Sequence, residues 1–178
     1  GSRDAADIPA MAPEHTPDAS LIVAPHAGYI YSGRIAGAVY SRVRIPGRVI
    51  VLCPNHTGQG EPRSLWSSGR WLLPGGSVRV DEELGALVAE RGALTPDHAA
   101  HLREHAIEVQ LPLLQALRSD VRIVPICLAR LSLSECVELG AALASAIAEV
   151  GASDVLIVAS TDMSHYVPVK VAEQLDRF

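Results

Sequence analysis

Three histidines in this sequence stand just past the ends of short apolar runs. His26 follows Leu21–Ala24 through one proline, His56 follows Arg48–Cys53 through Pro54 and Asn55, and His165 follows Asp154–Ala159 through Ser160–Ser164. Neutral imidazole is the commonest protein ligand for zinc, iron and copper. Two histidines with an anionic third ligand and open coordination positions suit oxygen or hydrolytic chemistry. Asp162 and Ser164 beside His165 are candidates for the third position, as is Glu104, and spacing alone does not choose among them. His105 comes from elsewhere, the start of a segment in which Ile107, Leu111 and Leu114 share one helical face. A histidine near a helix N-terminus meets the positive end of the helix dipole, which favours a neutral, proton-accepting ring.

A parallel sheet is what would bring these residues together. Leu21–Ala24 and Arg48–Cys53, each stopped by a proline, read as buried strands. Between them Arg34–Val43 places Ile35, Val39 and Val43 on one helical face, so the stretch reads as a right-handed βαβ unit. Val121–Cys127 and Asp154–Ala159 are two further strands, separated by an Ala/Leu-rich helix over Ser132–Val150 that Ser132 caps. Ser64–Val80 predicts short strands or a hairpin around Pro74-Gly75-Gly76, with Trp66 and Trp71 covering the sheet edge or walling a pocket. Asp81 is placed to cap a helix over Glu82–Arg91, and Glu104–Leu117 should be helical, bent or restarted near Pro112. Apolar runs alternating with helical ones predict an α/β fold, a mainly parallel central sheet flanked by helices. Ligands of such a sheet bind beyond the carboxyl ends of its strands, where the histidines would converge.

The bulk properties narrow the function classes. The 178 residues suit one domain, over 21–178, after a tag scar (Gly1-Ser2) and a loose lead-in filling residues 1–20. The sequence stops inside an apparent helix from Val169 to Phe178, which predicts a domain truncated at its C-terminus. The net charge of −5 without a Lys/Arg cluster argues against a nucleic-acid partner. Apolar runs such as Val49–Cys53 and Val155–Ala159 are too short to cross a membrane, and no secretory leader is expected. Cys53, Cys127 and Cys136 are an odd set without paired spacing, which reads as buried packing in a reducing, cytoplasmic compartment. His98 and His101 read as solvated surface residues. The Gly28/Gly33 loop lacks the glycine triplet of a dinucleotide site.

Four segments resemble signatures of the Memo family, also called the B component of the AmmeMemoRadiSam system. They are Pro25-His26-Ala27-Gly28-Tyr29-Ile30-Tyr31-Ser32-Gly33, Pro54-Asn55-His56-Thr57-Gly58, Glu104-His105-Ala106-Ile107-Glu108 and Ser160-Thr161-Asp162-Met163-Ser164-His165-Tyr166, in the expected order. The resemblance implies a fold similar to the class III extradiol dioxygenases, non-haem iron enzymes in which two histidines and a carboxylate hold the metal. By motif, His26 and His56 match the histidine ligands and His105 the acid/base histidine, with His165 a second catalytic candidate. Ser164 falls where the animal Memo protein has a cysteine ligand. A neutral hydroxyl is a poorer ligand than a thiolate, so water, Asp162 or His165 are alternatives for that position.

Three functional expectations follow from the resemblance. The first is metal-dependent redox chemistry of dioxygenase type on a small molecule, with a divalent metal, iron before copper or zinc. The second is a non-catalytic peptide- or ligand-binding module using the same cleft. The third is a metal-assisted step linked to a radical SAM partner; the chain has no iron–sulfur cysteine cluster of its own.

Overall fold

A computed structural model describes residues 18–150 and 154–177. The expected tag scar, nearly all of the expected lead-in and Phe178 lie outside the described residues. Strand β1 (Leu21–Ala24) leads to helix α1 (Tyr29–Tyr40) and strand β2 (Arg48–Pro54). Short strands β3 (Arg63–Leu65), β4 (Arg70–Leu73) and β5 (Gly76–Val80) follow, then α2 (Glu82–Gly92) and the two-residue β6 (Thr95–Pro96). The remainder is α3 (Leu111–Leu117), β7 (Arg122–Leu128), α4 (Leu133–Glu149), β8 (Val155–Ser160) and α5 (Val169–Leu175).

The sheet runs β1-β8-β2-β7-β3-β6, and β5 also pairs with β7 while making a hairpin with β4. Pairings among β1, β8, β2, β7 and β5 are parallel; β3 with β7 and β4 with β5 are antiparallel. The expected α/β class and mainly parallel sheet are therefore present. β1 and β2 are not neighbours, however, because β8 lies between them.

The period of two along the central strands separates two cores. Val49, Val51 and Cys53 of β2 join Tyr40 of α1 and Leu111 and Leu114 of α3 on one face. Ile50 of β2 joins Val124 and Ile126 of β7 with Leu84 and Val88 of α2 and Leu139 and Leu143 of α4 on the other. Helices thus cover both faces, as a sheet buried on both sides requires. Asp81 accepts a hydrogen bond from the Leu84 amide at the start of α2, and Ser132 forms a reciprocal capping box with Glu135 at the start of α4.

Several expectations are corrected. Helix α1 begins earlier and buries Ser32, Ala36, Gly37 and Tyr40 rather than Ile35, which is 62% exposed. Residues 106–110 form turns, and the helix proper starts at Leu111, with Pro112 in its first turn where no amide donor is needed. Cys53 and Cys127 are buried, but Cys136 is exposed on α4. His101 is buried, at 3% exposure, because Trp66 and Trp71 pack edge-on against its ring.

Candidate metal centre

The parallel strands β1, β8 and β2 end side by side, and the segments that leave them carry the site. Pro25 follows β1 directly and Pro54 is the last residue of β2, so His26 and His56 stand just beyond two strand ends. His105 enters from the turns before α3. The ring centroids lie 5.2 Å apart for His26 and His56, 5.6 Å for His26 and His105, and 5.4 Å for His56 and His105. One nitrogen of each ring falls within 4.8 Å of those of the other two. His26 is buried, whereas His56 and His105 are open to solvent. One side of the group is therefore closed by protein and the other is accessible.

Two carboxylates organise this cluster, Glu104 buried and Asp162 half-buried. Glu104 accepts hydrogen bonds from the backbone amides of His56 (2.8 Å), His105 (2.9 Å) and Ala106 (3.1 Å), and lies 3.0 Å from His56 Nδ1. Burial alone would raise its pKa, but the His56 ring and these amides outweigh it and hold it below the usual carboxylate value. An ionised carboxylate has no proton to give, so His56 Nδ1 is the donor, and it is the neutral ring in this tautomer that offers a lone pair at Nε2. Since the helix starts only at Leu111, the environment of His105 is set by Glu104, whose Oε1 is 3.4 Å from its Nδ1, and not by a helix dipole.

Asp162 holds the backbone at His26. Its Oδ1 accepts from the amides of His26 (2.7 Å) and Ala27 (3.1 Å), and its Oδ2 lies 3.8 Å from His26 Nε2 and 3.1 Å from His165 Nε2. Burial opposes ionisation here too, yet the amide bonds and the His165 ring keep the Asp162 pKa low. For His26, burial dominates and pulls the imidazole pKa down, helped by His56 and His105 and opposed by Asp162. A neutral ring at that position is the form that ligates a metal.

The sequence-derived candidates thus separate. His26, His56 and His105 are brought together, and His165 borders them through Asp162. Ser164 is exposed, and its amide and hydroxyl both donate to Asp176 Oδ1, at 3.1 and 2.7 Å. Glu104 and Asp162, weighed as ligands from the sequence, are engaged in holding histidines and backbone. Ser160 and Gln110 were not singled out; both are buried against His26 or its strand, and only the three-dimensional register reveals them. Three imidazoles fit a divalent metal of the zinc, iron or copper type, and the exposed side leaves room for further ligands.

A cleft of about 520 Å³ lies to one side, lined by Tyr29, Trp66, Arg70, Trp71, His101 and Pro112 among others. Tyr29 links its wall to the histidine-bearing segment, its hydroxyl donating to the Val109 carbonyl at 2.8 Å. Trp66 stacks on His98 with centroids 3.9 Å apart. The tryptophans wall a pocket, the second of the two roles their spacing left open.

The family model described as Memo-like protein matches residues 6–178. The chain belongs to the Memo family. Proteins described as MEMO1 family proteins are similar to it over most of its length. That of Methanothermobacter thermautotrophicus is 43% identical over 160 residues, covering 88% of this chain and 57% of the relative. Those of Aquifex aeolicus and Aeropyrum pernix are 44% and 45% identical, covering 87% and 86% of this chain and 57% and 56% of their own lengths. This Memo chain therefore spans somewhat more than half the length of these relatives. Among its described residues no helix is long and apolar enough to cross a membrane.

Proposed function

We propose that this Memo-family protein binds a divalent metal ion through His26, His56 and His105 and uses it in redox chemistry of dioxygenase type on a small organic substrate. The observation that carries the reading is the convergence of three imidazole nitrogens within 4.8 Å, the His56 ring being held by the buried carboxylate of Glu104 and the His26 ring by the buried hydroxyl of Ser160. When bound, iron at such a site supplies oxygen activation. The chain's own residues then divide the work. Glu104 orients the His56 ring, Asp162 holds the backbone of His26, burial keeps His26 neutral, and His165, exposed and paired with Asp162, holds or moves a proton at Nε2. Ser164 is left outside the ligand set, its hydroxyl bound to Asp176.

Metal analysis of protein purified without chelators or a His-tag, beside the His26→Ala/His56→Ala double variant, tests the site. Equal and negligible metal in both would remove it. Oxygen uptake by anaerobically iron-loaded protein with a panel of catechols tests the redox chemistry; no uptake with any of them would leave a metal site without that activity.

The aromatic cleft favours a second reading, a ligand-binding module that needs no turnover. Ligand binding that survives the double variant would support it over metal chemistry.

A further inference from the structure

Ser160 ends β8 with its side chain buried beside His26. Three atoms lie within hydrogen-bond distance of its Oγ: the Ala106 carbonyl oxygen at 2.6 Å, Gln110 Nε2 at 2.9 Å and His26 Nδ1 at 3.1 Å. A hydroxyl has one proton to donate. The Ala106 carbonyl has none, so a contact of 2.6 Å requires Ser160 to donate there. The Gln110 amide is oriented by two other groups. Its Nε2 donates to the Pro25 carbonyl at 2.9 Å, and its Oε1 accepts from the Tyr40 hydroxyl at 2.9 Å. Turning the amide over would set Oε1 against the Pro25 carbonyl, so Gln110 can only donate to Ser160. With its proton committed to Ala106, Ser160 Oγ is left to accept from His26. The hydrogen of the neutral His26 ring must then sit on Nδ1.

We infer that Tyr40, Gln110 and Ser160 form a positioning relay that locks His26 as its Nδ1–H tautomer, leaving the Nε2 lone pair for a ligand. Every member is buried, so water does not compete for these bonds. Burial also pushes the Tyr40 pKa up, which keeps its hydroxyl protonated as the relay's outermost donor. The three residues come from α1, the turn before α3 and the end of β8, so the relay exists only when the sheet register is complete. They act through His26 and touch nothing that reacts. The tautomer stands on these contacts alone; only its use in metal binding rests on the reading above.

The test uses metal-free protein with isotope-labelled histidine, at a pH where the ring is neutral. A long-range proton–nitrogen correlation spectrum reports which ring nitrogen carries hydrogen, and His26→Gln identifies the His26 signals by their loss. Wild-type protein should show His26 protonated at Nδ1. Ser160→Ala removes the acceptor and should shift the ring toward the Nε2–H form, while Ser160→Thr, which keeps the hydroxyl, should restore the wild-type pattern. In cobalt(II) titrations Ser160→Ala should bind about 10-fold or more weakly than wild type. Wild-type His26 protonated at Nε2 overturns the relay, as does a folded Ser160→Ala protein with an unchanged tautomer. If Ser160→Ala does not fold, the wild-type spectrum decides alone. Absence of cobalt binding in wild type, with the Nδ1–H tautomer present, would sink the metal reading and leave the relay standing.

Discussion

Glu104 grips His56 at two points, accepting from its backbone amide at 2.8 Å and from its ring Nδ1 at 3.0 Å. The same carboxylate binds the amides of His105 and Ala106, so one buried anion, 48 residues along the chain from His56, fixes the approach of two histidines. This makes Glu104 more informative to mutate than an exposed histidine. Glu104→Gln keeps one acceptor but turns a donor toward the His56 amide or ring. The fold should persist while zinc or cobalt affinity falls about 10- to 100-fold, the usual effect of losing a partner behind a ligating histidine. Isothermal titration calorimetry measures it, and unchanged affinity would show that Glu104 serves the backbone alone.

Metal binding should also appear as stability. A ligand bound only by the native state, at 100 times its Kd, stabilises by about 2.7 kcal/mol. Thermal melts with and without zinc should show this shift for the wild type, and a chelator should reverse it. His26→Ala, His56→Ala and His105→Ala should each abolish the shift. A full shift retained in His105→Ala would place that residue outside the ligand set and return it to the acid/base role that its motif implies.

Most of this site could be read from the order of residues, for a physical reason. Strands of a parallel sheet release their next residues on one edge, so a histidine one to five residues beyond an apolar run is located by the run itself. His26 and His56 were found in this way. What could not be read depends on contacts between segments distant in sequence. The helix expected from Glu104 has an amphipathic pattern, yet Glu104 accepts from the two amides that follow it, and residues 106–110 form turns. Ser160 looks like any strand-end serine until the register Ala24↔Ser160 sets it beside His26. His101 lies in a polar stretch, and its burial follows from Asp97 tying the loop by accepting from the amides of Glu61, Ala99 and Ala100.

That loop depends on one glycine. Gly60 has φ of 73°, and a Cβ there would fall 2.2 Å from Asp97 Oδ2 and 2.4 Å from the Ala100 amide nitrogen. Gly60→Ala should therefore displace the Asp97 turn as well as strain the backbone. A loss of about 2 kcal/mol or more is expected in urea unfolding, above the 1 to 2 kcal/mol of left-handed strain alone. A loss well under 1 kcal/mol would mean that the loop yields freely.

Asp81 joins the helix cap to an ion pair. It caps α2 and receives both Arg48 Nε (2.7 Å) and Nη2 (2.8 Å) while fully buried. Burial disfavours its charge, but Arg48 and the Leu84 amide outweigh that and lower its pKa from 3.8. A carboxylate with a depressed folded pKa contributes stability above its unfolded pKa, lost as pH falls through the folded one. Asp81→Ala should cost about 3 kcal/mol at neutral pH, since it leaves Arg48 without its main partner. The difference from wild type should shrink below pH 3.8, and denaturant melts across that range check both statements.

His101 should govern stability in a separate pH window. Burial lowers its pKa from 6.5 to about 4, against the opposing pull of Asp97, and neither ring nitrogen has a hydrogen-bond partner among the described residues. The folded protein therefore refuses a proton that the unfolded chain accepts, and the wild type should lose stability as pH falls from 6.5 to about 4. A shift of this size amounts to roughly 3 kcal/mol by the lower limit of the window, below which the folded state is protonated too and the loss stops growing. His26 pulls in the same direction, so the wild-type curve alone does not isolate His101. His101→Phe keeps an aromatic ring against Trp66 and Trp71 and removes both unpartnered nitrogens. Its unfolding free energy should fall less steeply with acid than the wild type's, by up to about 1.4 kcal/mol per pH unit inside the window. Urea unfolding at a series of pH values measures the two slopes. Parallel curves would mean that the His101 ring gains its proton within the folded protein.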